Sequence, residues 1–301
     1  MPRNLLSIDD LDRGEILDVF AAAQEFQENQ QQARSVGTDT VGSLMFFEAS
    51  TRTRIGFEVA AWKLGVKTVS LSETKVTNSM SAPESTSDTV RTLGAFSDFY
   101  CIRHPEANIF DEVLPFTSKP VINCGNGYDE HPTQALIDGF TMWQRFGGID
   151  GLSVSLLGQL RYSRAAHSLL RLLSKFKGVQ VQEFAPTELQ VEGYTEGLDD
   201  NSNQLISSST PELGNENVLY VTGFPPKNPA GEFSQELRDQ YKVTTKVASA
   251  LKDGAIILNP LPRIDEIDPQ VDSMAAAYYF KQNDLGLYVR MAILDRYCLK
   301  S

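Results

Sequence analysis

The chain is poor in cysteine, histidine and positive charge, and each shortage closes off a class of protein. Its three cysteines, Cys101, Cys124 and Cys298, are odd in number, far apart in sequence and set in apolar surroundings. That argues against a disulfide framework and for a reducing compartment, hence a cytoplasmic location. The three histidines, His104, His131 and His167, are too widely spaced for a local zinc pattern, so a structural or catalytic metal is not expected; no other cofactor is expected either. Lys and Arg number 27 against 39 Asp and Glu, for a formal net charge of -12. So acidic a surface repels phosphate backbones and anionic lipid, and neither nucleic acid nor a membrane is expected as a partner. No apolar run approaches the ~20 residues of a membrane span, and the first ten residues lack an apolar signal core. The remaining composition, 41% hydrophobic and 22% charged over 301 residues, is that of a globular chain, and at roughly 150 residues per domain it suggests two.

What is present is alternation. Short apolar runs at 41–47, 99–102, 121–124, 153–157, 179–184, 218–221 and 255–258 read as strands. Helical-period segments at 53–64, 132–146, 164–176 and 243–251 fall among them. Strand and helix in turn imply parallel sheets with crossover helices. The fold class expected is therefore α/β, as two doubly wound parallel-sheet domains joined by interdomain helices. Gly147, Gly148 and Gly151 mark the boundary. The first domain is expected over 1–146 plus a closing helix at 285–301, the second over 147–284. Segment 9–26 is amphipathic, 27–32 reads as a polar helix end, and 193–210 reads as a weakly structured surface loop. Ile55, Val59 and Trp62 share one helical face, expected to be buried.

The strongest chemical signal follows the first strand: Phe46-Phe47-Glu48-Ala49-Ser50-Thr51-Arg52-Thr53-Arg54. Hydroxyl and guanidinium groups would cluster at a helix N-terminus, where free N–H groups and the positive dipole end favour an anion. Arg52 adds a planar fork suited to phosphate oxygens. The plainer reading is ordinary capping by Ser and Thr, but two hydroxyl–Arg steps in succession exceed what a cap needs. Arg103 directly follows a second strand. Gly125-Asn126-Gly127 precedes His131-Pro132-Thr133-Gln134, with Pro132 suited to a first helical position and His131 to the cap. Arg103 and His131 would emerge at carboxyl ends of strands, where open α/β sheets bind ligands.

These segments resemble the carbamoyl-phosphate signature of the aspartate/ornithine carbamoyltransferase family. The resemblance extends through Leu160-Arg161-Tyr162-Ser163-Arg164 and Asn259-Pro260-Leu261-Pro262-Arg263-Ile264-Asp265-Glu266, covers nearly the whole chain, and leans to the aspartate type. It implies that Ser50, Thr51, Arg52 and Thr53 hold the phosphate of carbamoyl phosphate. Arg103 would reach the phosphate and carbonyl region, His131 would polarise the carbonyl oxygen, and Gln134 would fix the carbamoyl amide. Pro260 and Leu261 would present backbone carbonyls. Arg52, Arg103 and His131 would be the catalytic set. Arg164, Thr222, Gly223, Phe224, Pro225 and Lys227 would face the acceptor amine. The resemblance also implies a homotrimer with shared active sites, alone or with other subunits, and a setting in pyrimidine biosynthesis.

The sequence departs from that pattern on the acceptor side. Ala82 stands where the family carries a loop lysine supplied by a neighbouring subunit, and Lys75 is the nearby cation. Gly223 and Pro225 replace the Arg and Gln of a Thr-Arg-x-Gln segment. Gln159 replaces an acidic residue and Asn259 a histidine, while Arg164 and Arg263 are retained. Three readings follow. The chain is a carbamoyltransferase for aspartate or for a different amine, its altered 223–227 segment setting specificity. Or it is a catalytically silent homologue that binds a ligand or an active partner. Or Leu157-Gly158-Gln159-Leu160 opens a dinucleotide site of an oxidoreductase, a reading weakened by the missing Gly-x-Gly-x-x-Gly.

Overall fold

The computed structural model describes residues 3–29, 39–72, 84–198, 203–225 and 229–299. Ala82, Lys75 and Lys227, singled out in the sequence, lie outside the described residues. The chain forms two compact units, 1–136 with 286–301, and 137–285.

The first unit opens with helix α1 (Arg13–Glu28), capped by Asp12, whose side chain accepts from Glu15 N. Strand β1 (Val41–Phe46), helix α2 (Thr51–Lys63), β2 (Lys67–Ser72), α3 (Thr86–Leu93), β3 (Phe99–His104), α4 (Ile109–Val113) and β4 (Val121–Asn126) follow. All pair in parallel, in the order β2-β1-β3-β4. The connection reverses direction between β1 and β3, so the topological switch point lies at their carboxyl ends. Met45, Val90, Tyr100, Ile102, Ile109, Phe110, Val113 and Val121 form a buried cluster beneath it. Each fully buried side chain of this size contributes about 1.5–3 kcal/mol.

Helix α5 (Pro132–Phe146) begins in the first unit and continues into the second, the division falling between Leu136 and Ile137. The second unit then runs β5 (Ser153–Leu157), α6 (Arg164–Ser174), β6 (Gln180–Phe184), β7 (Gln204–Ser208), β8 (Val218–Val221), α7 (Gln235–Gln240), α8 (Thr245–Ala250) and β9 (Ile256–Leu258). Its parallel order β7-β6-β5-β8-β9 puts the switch point between β5 and β8. Helix α9 (Tyr279–Leu294) returns the chain to the first unit, with a π-helical turn at Asp295–Leu299.

Three expectations are corrected. The 193–210 segment contains β7, an edge strand parallel to β6, whose largely exposed Gln204, Ile206 and Ser207 hid it from a hydrophobicity reading. Strand β2 was missed for the same reason. The buried face of α2 is Thr53, Phe57, Ala60 and Ala61. Ile55 and Trp62 are instead 43% and 58% exposed, because the helix turns Phe57 and its two alanines, not these side chains, inward. Among the described residues no helix is long and apolar enough to cross a membrane.

Candidate active site

In the first unit the sequence-derived residues gather at the switch point. Ser50 caps α2 with extended backbone, yet its side chain makes no capping hydrogen bond. The hydroxyl and the first-turn N–H groups thus lack the usual mutual partner. Thr53 is buried and Arg52 half-buried. Arg52 makes no ion pair among the described residues, and burial alone draws its pKa downward. Arg54, by contrast, is engaged by Glu58 at 3.5 Å on the following turn.

Arg103 is the last residue but one of β3, beside β1, with Phe47 N donating to its carbonyl oxygen at 2.9 Å. Its Nε lies 3.3 Å from Glu48 Oε2, so the carboxylate after β1 orients the guanidinium. Next to it His104 accepts from Glu106 N at Nδ1 and meets Thr86 Oγ1 at Nε2. Burial lowers its pKa, which suits a neutral, structural histidine tying β3 to α3.

His131 is buried, and its carbonyl oxygen accepts from Gln134 N and Ala135 N, which makes it the backbone cap of α5. Pro132 takes the first helical position, where no N–H is needed. Thr133 Oγ1 lies 3.2 Å from His131 Nδ1, fixing the ring. Gln134 is also buried.

The loop before His131 is held by Asn126, part of the Gly125-Asn126-Gly127 signal, and by Asn123, which the sequence reading did not single out. Asn123 Nδ2 donates to Leu6 O and to Asn126 Oδ1, while Asn123 Oδ1 accepts from Gly125 N. Asn126 Nδ2 reaches Ala107 O at 2.6 Å, and Gly127 N donates to His104 O. Gly127 has φ +48°, and a β-carbon there would lie 3.0 Å from Pro105 O and Ala107 N, so only glycine lets the two loops touch.

In the second unit β5 and β8 end in equally close contact. A β-carbon on Gly158 would lie 2.0 Å from Thr222 O. Thr222 Oγ1 donates to Gln159 O at 2.8 Å. Arg164 opens α6 behind the Ser163 cap, in a first turn whose dipole disfavours a cation. Asn259, Glu266 and the turn between them form one buried network. Asn259 Oδ1 accepts from Leu261 N, holding Leu261 at φ +52°. Asn259 Nδ2 donates to Val221 O and Glu266 Oε1, and Glu266 Oε2 accepts from Ile264 N and Asp265 N. A β-carbon on Gly223 would lie 2.8 Å from Glu266 Oε2. Phe224 is buried against Phe233 and Tyr241. Arg263 is occupied by a bidentate pairing with Asp272 and by Tyr279 Oη at 3.2 Å.

The cysteines, remote in sequence, meet inside the first unit. Cys101 hydrogen-bonds Cys124, and Cys298 is close enough to both to share their electrostatics. All three are free thiols, and burial pushes those of Cys101 and Cys298 upward in pKa.

A polar switch point on each of two parallel sheets defines a two-domain α/β protein built to hold small ligands at its strand ends. The chain belongs to the aspartate/ornithine carbamoyltransferase family. Residues 3–144 match its carbamoyl-P binding domain and residues 150–297 its Asp/Orn binding domain. The aspartate carbamoyltransferase catalytic subunit of Archaeoglobus fulgidus is 36% identical over 304 residues, covering 99% of this chain and 100% of that one. That of Thermoplasma volcanium is 34% identical, covering 97% of each. Among solved structures, the aspartate transcarbamoylase of Trypanosoma cruzi in complex with carbamoyl phosphate superposes with a TM-score of 0.91 at 28% identity, covering 97% of this chain and 95% of that one. The catalytic subunit of M. jannaschii aspartate transcarbamoylase gives 0.86 at 32% identity, covering 98% and 97%.

Proposed function

We propose that the chain transfers the carbamoyl group of carbamoyl phosphate to an amine and releases phosphate. The observation that carries this reading is the head of α2: an N-terminus without its side-chain cap, beside a half-buried Arg52 that has no acidic partner among the described residues. Ser50, Thr51, Arg52 and Thr53 bind the phosphate through hydroxyls, helix N–H groups and the guanidinium fork. Arg103, oriented by Glu48, reaches the phosphate and the carbonyl. His131, with Nδ1 fixed by Thr133, polarises the carbonyl oxygen, and Gln134 orients the amide. Pro260 and Leu261 offer backbone carbonyls to the carbamoyl nitrogen and the incoming amine. The amine nitrogen bonds to the carbonyl carbon, the carbon–oxygen bond to phosphate breaks, and phosphate leaves with the electron pair and takes up the proton that the amine nitrogen loses. Rate comes from orienting two reactants and stabilising a developing oxyanion.

Arg164, Thr222, Gly223, Phe224, Pro225 and Lys227 form the acceptor side. The named relatives are aspartate carbamoyltransferases, and the T. cruzi enzyme is described in complex with carbamoyl phosphate and aspartate. Arg164, a cation kept in a first helical turn against the dipole, supports an anionic group on the acceptor here also. Glu266 against Gly223 favours an acceptor bound without a second guanidinium at that point: aspartate held differently, or another amine. The same observation also sustains the second reading, a silent ligand-binding homologue.

We further place the protein in the cytoplasm as a homotrimer, alone or with other subunits. The exposed Ile55 and Trp62 on α2 and Val69 on the edge strand β2 supply apolar surface for such an assembly.

Calorimetric titration with carbamoyl phosphate, followed by phosphate-release assays with aspartate and a panel of amines, tests the reading. Binding with amine-dependent release supports transfer and names the acceptor. Binding without release selects the silent homologue, and no binding rejects both.

A further inference from the structure

Buried charge is costly, so a buried cation without a counter-charge asks what neutralises it. Arg290, on α9 within the first unit, is 5% exposed, and its Nε is buried without a hydrogen-bond partner. No hydrogen bond or ion pair to its guanidinium is found among the described residues; its recorded neighbours are the Phe57 ring, 5.8 Å from Cζ, Cys124 and Arg52. Burial and the like charge of Arg52 draw its pKa down from 12.5 to about 10.

Its position is built by a glycine. A β-carbon on Gly56 would lie 2.7 Å from Arg290 Nη1, 2.8 Å from Cζ and 2.9 Å from Nε. Gly56 sits inside α2, where glycine is a poorer helix former than alanine. The guanidinium occupies the space that an alanine methyl would fill. Residue 56 lies one helical turn beyond Arg52, on the same face. Two guanidiniums without acidic partners thus converge on the first turns of α2, at the end whose dipole is already positive. A dianion would satisfy all three at once.

We propose that Arg290 is a second cation of the anion site at the head of α2, acting with Arg52 on one phosphate dianion. This rests on the carbamoyl-phosphate reading and adds a residue to it. In a chain with alanine at position 82, where the resemblance expects a lysine, Arg290 supplies positive charge from within its own unit.

Inorganic phosphate and carbamoyl phosphate are titrated calorimetrically into the full-length wild type, Arg52→Met, Arg290→Met and Gly56→Ala, and each melting temperature is read with and without phosphate. Arg290→Met is expected to melt no lower than wild type in the absence of phosphate. It should bind phosphate about tenfold or more weakly, with a smaller phosphate-induced rise in melting temperature. Gly56→Ala keeps the charge but displaces the guanidinium, and the same weakening is expected despite the better helix former. If Arg290→Met does not fold, Gly56→Ala decides. Wild-type affinity in a folded Arg290→Met, or in Gly56→Ala when the former is unfolded, overturns the assignment while Arg52→Met still loses binding. A wild type that takes up neither ligand overturns the proposed function along with it.

Discussion

The carboxylate of Glu266 stands where a side chain on residue 223 would begin, with 2.8 Å between Oε2 and a β-carbon built on Gly223. Glu266 is fixed there by two backbone N–H groups and Asn259. Gly223→Ala is therefore expected to cost about 1–3 kcal/mol, as overpacking does, read by denaturant unfolding. Gly223→Arg alone should not create or raise aspartate-dependent phosphate release. Stable, aspartate-accelerated Gly223→Arg protein would refute this picture of the acceptor side.

Arg52 and Arg54 lie two residues apart on α2 and should differ sharply. Arg52→Met removes an uncompensated cation from the proposed phosphate site and is expected to lower turnover about 100-fold or more. Arg54→Met removes only a partner of Glu58 and should leave turnover within about threefold, since such pairs contribute little. Steady-state phosphate release on both variants checks the contrast, and equal losses would contradict it.

Asn123→Ala strips a fully buried amide that serves Leu6, Asn126 and Gly125. The expected cost is about 2–3 kcal/mol, from buried polar groups left unsatisfied. Turnover should fall too, because the same amide shapes the loop that delivers His131. Chemical denaturation and phosphate release are measured on one preparation; loss of stability at unchanged turnover would separate the loop from the chemistry.

The N-terminal segment carries an acid-sensitive clasp. Hydrogen bonding from Arg3 pulls the Glu15 carboxyl down to about 2 from an ordinary 4.5. A depressed carboxylate stabilises the fold above its unfolded pKa and loses that contribution as pH falls toward its folded value. Stability should therefore decline from about pH 5 to pH 2 in wild type, and less steeply in Arg3→Met, which leaves the Glu15 cap on Asp12 intact. Parallel pH profiles for the two proteins in thermal unfolding would rule the clasp out.

What could be read from the sequence follows burial. Strands β1, β3, β4, β5, β6, β8 and β9 announced themselves because they are largely buried and read as apolar runs, β4 and β9 included although each ends its sheet. The edge strands β2 and β7 mix polar with apolar residues and did not. The anion cluster was visible because hydroxyls and guanidiniums crowd one strand-to-helix turn. Asn123 was not singled out, since its role depends on contacts such as that with Leu6, far away in sequence. Arg290 was overlooked for a different reason: an arginine is read as surface by default, and only the interior glycine of α2 hinted that something large lay against the helix.

The meeting of Cys101, Cys124 and Cys298 gives the first unit a built-in clock. Two of these thiols lie on neighbouring strands and the third on the chain's returning end. The raised pKa of Cys101 and Cys298 keeps their reactive thiolates scarce while the fold is closed. A thiol reagent added in excess would then react at the pace at which the returning end lifts and the sheet opens. Slowing of that pace by carbamoyl phosphate would count ligand occupancy with no label attached and no substrate turned over.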